Sequence, residues 1–237
     1  DSFQDEGVDL ACELVCELRA MAVIAEKLGL ADDQRDFTEH AEQLGKTINT
    51  VFWDDADGFY YDRNEKTGQR VKVKSICGFF PLWAEVAPPD RAQRLVKEHL
   101  LNEKEFWTPW PIATYAKTEP DYYQGSINRE CNWRGSTWVA MNYIIFHGLM
   151  HYGMTDTARE LAMRTYHMAL DQNAMTREYY NAETGGGNGQ TQFWGFSALA
   201  YIMPLELQTN TNPMDPTVDV QPTAARALAI TFPPLPK

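Results

Sequence analysis

Arg177-Glu178-Tyr179-Tyr180-Asn181-Ala182-Glu183-Thr184-Gly185-Gly186-Gly187-Asn188-Gly189 is the stretch around which the chain is organised. A helical pattern stops just before it and another starts just after it, so it reads as a surface loop between two helices. Gly185, Gly186 and Gly187 allow positive φ and close backbone approach. Tyr179 and Tyr180 offer flat, half-polar rings of the kind that pack on sugars or nucleobases, and loops on rigid helices commonly carry function. Glu178 stands among these rings and glycines.

Working outward, the pattern on both sides is helical. Upstream, Thr157-Ala158-Arg159-Glu160 matches a capping box, opening a helix with Ala158, Leu161, Ala162, Thr165, Met168 and Ala169 on one side. Before it, 133–152 is the most hydrophobic segment and reads as a helix closed by Gly153. Downstream, 192–207 is an apolar helix bent at Pro204. Residues 209–237 form an extended tail rich in Pro and Thr.

The first half continues the theme. A helix over 8–28 has Leu14, Leu18, Met21, Ala25 and Leu28 on one face, with Gly29 as its C-terminal cap. A second follows from Asp32, with Phe37, Ala41, Leu44, Ile48, Val51 and Phe52 inward. Residues 59–62 and 70–73 read as a β-hairpin, 76–86 as a short helix, and Pro89 or Asp90 as the start of another. From 102 to 129 the period is lost, yet Phe106, Trp107, Trp110, Tyr122 and Tyr123 crowd the segment. A loop this long in a compact domain is usually functional. The sum is about seven helices in antiparallel pairs, which makes 1–208 an all-α domain followed by the tail.

Net charge is −12, the wrong sign for a nucleic-acid or anionic-membrane partner. No apolar run is long enough for a helical membrane span. The 4 cysteines make no disulfide scaffold; Cys12 and Cys16 read as small core residues. No cofactor or metal site is expected. Trp53-Asp54-Asp55-Ala56-Asp57-Gly58 has an acidic, calcium-loop look but lacks the later Glu ligand, so it reads as a turn. His147 and His151 have i,i+4 spacing without the intervening Glu of a zinc protease. The compartment stays open.

The aromatic excess, with 7 Trp and 11 Tyr, suits either a ring-rich helical core or a carbohydrate cleft. Breaking a glycosidic bond needs two carboxyl groups. Glu178 is the leading candidate, followed by Glu183 and then by Asp121 and Glu130; an ordinary acidic turn is the alternative for each. Arg134 could hold substrate hydroxyls or pair with Glu130 at a helix start. Trp133 and Trp138 could line a pocket or belong to the core, while Trp107 and Trp110, in a Pro-bounded run, suit a sugar platform.

Four motifs in order carry a resemblance. They are 52–62, around Trp53-Asp54-Asp55; 105–111, with Trp107; Trp133-Arg134-Gly135-Ser136-Thr137-Trp138 with Asn142; and 177–185. Together they resemble the mannosylglycerate-hydrolase-like clan of glycoside hydrolases, which includes processing α-glucosidases and trehalases. The resemblance implies an (α/α)6 toroid, an inverting mechanism on an α-glycoside, and Glu178 as general base. It implies sugar-pocket roles for Trp107, Trp133, Arg134, Trp138 and Asn142, beside which Tyr179 is a substrate-binding candidate through its flat ring. It also implies a general acid Asp in a Gly-Met-Asp-Asn-Ser-Pro-like segment upstream of the 8–28 helix. No such segment occurs here, so the expectation is the C-terminal part of a longer catalytic domain, partnered by its missing N-terminal part and a carbohydrate substrate. The rival readings are a non-catalytic carbohydrate-binding toroid fragment and an all-α interaction scaffold.

Overall fold

The computed structural model describes residues 5–125, 133–170, 176–189 and 195–209. The tail beyond residue 209 and Cys131 lie outside the described residues. Helix α1 (Val8–Leu28) turns at Gly29 into α2 (Ala31–Val51), and the two form an antiparallel hairpin. A short α3 (Phe80–Trp83) follows a 3-10 turn, Ile76–Phe79. Helix α4 (Pro89–Arg94) runs into a π-helical segment, Leu95–Leu100. After a long irregular region come α5 (Val139–His151), α6 (Thr155–Leu170) and α7 (Leu199–Thr209). Helix α5 packs against α3, α6 and α7 and is buried on nearly every side. Its Gly148 lets α3 approach, since a Cβ there would sit 2.8 Å from Leu82 Cβ.

Among the described residues, sheet is confined to two-residue ladders and isolated bridges. Strands β1 (Asp5–Glu6) and β4 (Arg63–Asn64) pair with each other, as do β2 (Trp53–Asp54) with β3 (Phe59–Tyr60) and β5 (Tyr179–Tyr180) with β6 (Gly187–Asn188). The expected 59–73 hairpin is therefore corrected. Phe59–Tyr60 pairs backward with Trp53–Asp54, and only the Arg63↔Arg70 bridge joins the later limb. The acidic turn is a cation site only in the sense that Lys72 fills it, with Nζ 2.6 Å from both Asp54 Oδ2 and Asp57 Oδ2.

Three other expectations change. Leu14, Met21 and Leu28 are exposed, and the buried face of α1 is Val8, Cys12, Val15 and Ala25. Residues 133–138 are irregular, with bends at Arg134 and Gly135 and bridges at Thr137, so α5 starts at Val139. Helix α6 starts at Thr155, which puts the supposed cap, Thr157, two residues inside it. Its inward residues are those expected: Ala158, Leu161, Ala162, Thr165, Met168 and Ala169 are all buried.

The core is built from rings. Phe59, Phe79 and Phe106 meet with centroids 4.8–6.0 Å apart, locking β3, the 3-10 turn and the irregular region together. Glu105 is held by His99 Nδ1 and Lys74 Nζ, each at 2.6 Å. Partial burial opposes its charge, but His99 and Lys74 outweigh it and keep the carboxyl below its usual range.

The N-terminus of α1 is capped from a distance, by Asp62 Oδ1 accepting from the Val8 N–H at 2.9 Å. Burial pushes the Asp62 carboxyl up, and although the Val8 bond partly offsets this, Asp9 and Asp5 add to it. A raised folded-state value means the uncharged form suits the fold, and this contribution is lost as pH rises through that value. Asp62→Asn should therefore melt at or above the wild-type temperature at neutral pH, with the difference fading in acid. Asp62→Ala should lose about 1 kcal/mol, the worth of a cap. Thermal unfolding across pH checks this; equal losses for the two variants would reject the role assigned to the charge.

Candidate active site

Three irregular segments are tied into one floor by their backbones. Thr137 N–H donates to Tyr180 O at 2.8 Å, and Tyr180 N–H returns the bond to Thr137 O at 2.9 Å. On its other side Thr137 bridges Ala113, and its hydroxyl donates to Trp110 O at 2.6 Å. Trp110 N–H reaches Ala182 O at 2.9 Å. Gly135 N–H donates to Thr114 Oγ1, and with φ +147 this residue lies against Tyr122 and the Tyr123 carbonyl, where a Cβ would come within 2.8–3.0 Å. That geometry keeps 133–138 out of a helix.

The floor brings the expected residues together. Glu178 immediately precedes β5 and is 7% exposed. Tyr179 is buried and stacks on Trp138, with centroids 5.1 Å apart and planes 23° apart. Trp138 in turn stacks on Trp133 at 3.9 Å and 7°. Trp133 is the outermost ring of this stack, 45% exposed, and Arg134 beside it is also exposed. Phe196, on the 3-10 turn Gly195–Ala198 that leads into α7, faces Trp138 at 6.1 Å. Arg177 N–H donates to the Tyr180 hydroxyl and Arg177 O accepts from Ser197 Oγ, which fixes the residue preceding Glu178. The arrangement is a buried carboxylate beside a graded aromatic wall, which suits a ligand with flat apolar faces and hydroxyl edges.

Two expected pocket residues sit elsewhere. Asn142 is fully buried, and its amide is consumed by Ile112 N–H, Pro111 O and Thr165 Oγ1, so it clamps the 110–114 loop to α5 and α6. Trp107 is 7% exposed, with the Arg164 guanidinium 5.5 Å over its ring. It supports the loop from beneath. Trp110 lies against Gly185, where a Cβ would meet its ring at 2.8 Å. Glu183 is a strut: its Oε1 accepts from Tyr122 OH at 2.9 Å and pairs with Lys117 Nζ at 2.8 Å. Asp121 is exposed, and Glu130 lies outside the described residues.

Gln124 was not singled out in the sequence, yet it joins all three segments. Its Nε2 donates to Tyr122 OH and Gly135 O, while Oε1 accepts from Ala182 N–H. A lone glutamine in a loop carries no pattern that would have marked it. His147 Nε2 lies 3.2 Å from Glu206 Oε2 without a hydrogen bond, and His151 Nδ1 lies 2.6 Å from Glu85 Oε1. Among the described residues no three His, Cys, Asp or Glu side chains cluster as metal ligands. No helix there is long and apolar enough to cross a membrane.

The model of the mannosylglycerate hydrolase MGH1-like glycoside hydrolase domain matches residues 1–194. The chain belongs to that family. Among curated members, the mannosylglycerate hydrolase of Rubrobacter radiotolerans is 28% identical over 198 residues, spanning 81% of this chain and 42% of that protein. That of Thermus thermophilus is 29% identical over 187 residues, spanning 78% and 41%. A solved GH63 mannosylglycerate hydrolase, also from Thermus thermophilus and in complex with glucose, superposes with a TM-score of 0.72 at 25% identity, covering 86% of this chain and 48% of that one. The fold is that of the (α/α)6 toroids, and the chain spans less than half the length of these family members.

Burial works against the Glu183 charge, but Lys117 and Tyr122 prevail and hold its carboxyl below the usual range. A lowered folded-state value contributes stability above the unfolded pKa that is lost as pH falls through the folded one. Glu183→Gln should lower the melting temperature at neutral pH, and the deficit should vanish in acid.

Proposed function

We propose that this chain carries the general-base part of an inverting α-glycosidase acting on a small α-glycoside or oligosaccharide. The observation that carries the reading is Glu178, buried at the head of the β5–β6 hairpin beside the Tyr179–Trp138–Trp133 stack. Membership of a glycoside hydrolase family and the hydrolase names of its relatives support it. In the step proposed, Glu178 takes a proton from water as the oxygen attacks the anomeric carbon. The bond to the leaving oxygen breaks, and that oxygen receives a proton from a second carboxylic acid on the opposite face. An inverting pair stands about 6.5–9.5 Å apart to leave room for the water. Trp133 and Arg134 meet the sugar, while Trp138 and Tyr179 back them.

In the full-length protein, Glu178→Gln should cut kcat by about 10²–10⁴-fold with little change in KM. A panel of α-glycosides headed by α-mannosylglycerate and trehalose, the substrates in relatives' names, provides the assay. Proton NMR in the first minutes should show product of inverted anomeric configuration. Retention, or near wild-type turnover by Glu178→Gln, rejects the reading.

The second acid comes from helices outside this chain, which are also the partner for α1. Leu10, Leu14, Met21, Ile24 and Leu28 recur at helical spacings of three, four or seven residues along α1 and stand 43–68% exposed. Beside them, Leu14, Leu18 and Leu44 line a groove between α1 and α2. Contiguous apolar surface of this kind marks an interface. The 237-residue chain alone should bind a hydrophobic dye or self-associate. Replacing Leu10, Leu14 and Leu28 by Gln should reduce dye binding; a monodisperse wild-type chain without dye binding would contradict the interface.

A further inference from the structure

The β5–β6 ladder pairs Tyr180 with Gly187 and Tyr179 with Asn188, so one step further along the register Glu178 stands opposite Gly189. Facing Cβ atoms in an ordinary antiparallel pair are about 4.5–5.5 Å apart. At Gly189, φ is +74, and a Cβ added there would lie 2.7 Å from Glu178 Cβ, 2.5 Å from Glu178 Oε2 and 2.9 Å from a Tyr179 ring carbon. The backbone has turned into the space beside the carboxylate and occupies it as far as an atom can. Only a residue without a side chain fits both the torsion and the gap.

We propose that Gly189 is a positioning residue for the Glu178 carboxylate: its bare α-carbon walls one side of the carboxylate and so sets where Oε2 points and where a water can approach it. The proposal rests on the reading of Glu178 as general base. Near-attack geometry tolerates little error, and a displacement of about 1 Å can cost on the order of 100-fold in rate. Any Cβ at this position must push Oε2 aside or push the hairpin off its floor.

The same loop contains its own control. Gly185 has φ +75, and an added Cβ would come 2.8 Å from the Trp110 ring. Its substitution imposes the same torsional strain and a similar overlap, but against an indole.

The experiment compares Gly189→Ala, Gly189→Asn, Gly185→Ala and Glu178→Gln in the full-length protein. The substrate is whichever α-glycoside of the panel above the wild type hydrolyses fastest. Asn tolerates positive φ, so Gly189→Asn carries the test should the alanine variant not fold. Both Gly189 variants should lose kcat by about 100-fold with KM nearly unchanged. The acid limb of their kcat/KM profile should move to higher pH, because the added carbon excludes water from the carboxylate. Gly185→Ala should lose comparable thermal stability but keep kcat within a few-fold and the wild-type pH limb. If Glu178→Gln is inactive while a folded Gly189 variant matches Gly185→Ala in kcat and pH profile, the positioning role is overturned. If Glu178→Gln is itself active, the base assignment fails and takes this proposal with it.

Discussion

The backbone around Thr137 is bonded on both sides, Thr137 itself to Tyr180 and the neighbouring Ser136 O to Thr114 N–H, and the candidate site exists because of it. A helical toroid has no large sheet to satisfy irregular segments, yet here 110–114, 135–137 and 180–182 are substantially buried. Buried N–H and C=O groups need partners, and these segments find them in one another through the Ala113–Thr137–Tyr180 bridges. Glu178, Tyr179 and Trp138 each sit one or two residues from a bonded position, so their directions follow from the ladder rather than from any helix.

Side-chain charges reinforce that floor. Glu105 ties Lys74 and His99 together. Glu183 ties Lys117 and Tyr122 together. Glu206 accepts from the Tyr143 hydroxyl at 2.5 Å and lies 3.2 Å from His147, joining α7 to α5 several turns from the site. Three acids in this chain thus act as struts between elements. Glu178 differs in its setting, at the end of a hairpin against an aromatic wall, with glycine backbone across from it. Setting rather than residue type separates the candidate base from the struts.

The two rows of apolar residues on α1 show how a toroid segment is built. Val8, Cys12, Val15 and Ala25 face the core, while Leu10, Leu14, Met21, Ile24 and Leu28 face outward. A helix apolar on two faces is a helix meant to be covered on both. Helix α5 is covered on nearly all sides by α3, α6 and α7, and the contrast between the two helices separates the interior of this chain from its edge.

By itself the sequence determined the helical class, the C-terminal end of α1 at Gly29, the start of α4 to within Pro89 or Asp90, and the inward face of α6, because caps, prolines and a one-sided apolar period are local signals. It also singled out the stretch holding Glu178, since a carboxylate between tyrosines and glycines is visible without coordinates. Only the tertiary structure decided which face of α1 is buried, because two apolar faces have the same period. It alone kept 133–138 out of a helix, because bridging of Thr137 to Ala113 and Tyr180 outweighs the helical preference of a hydrophobic run. It set Asn142 and Trp107 in buried contacts with neighbouring elements, revealed Gln124 as a junction, and set Gly189 against Glu178. Each of these depends on which distant segment lies alongside, and that information is carried by the packed fold rather than by spacing along the chain.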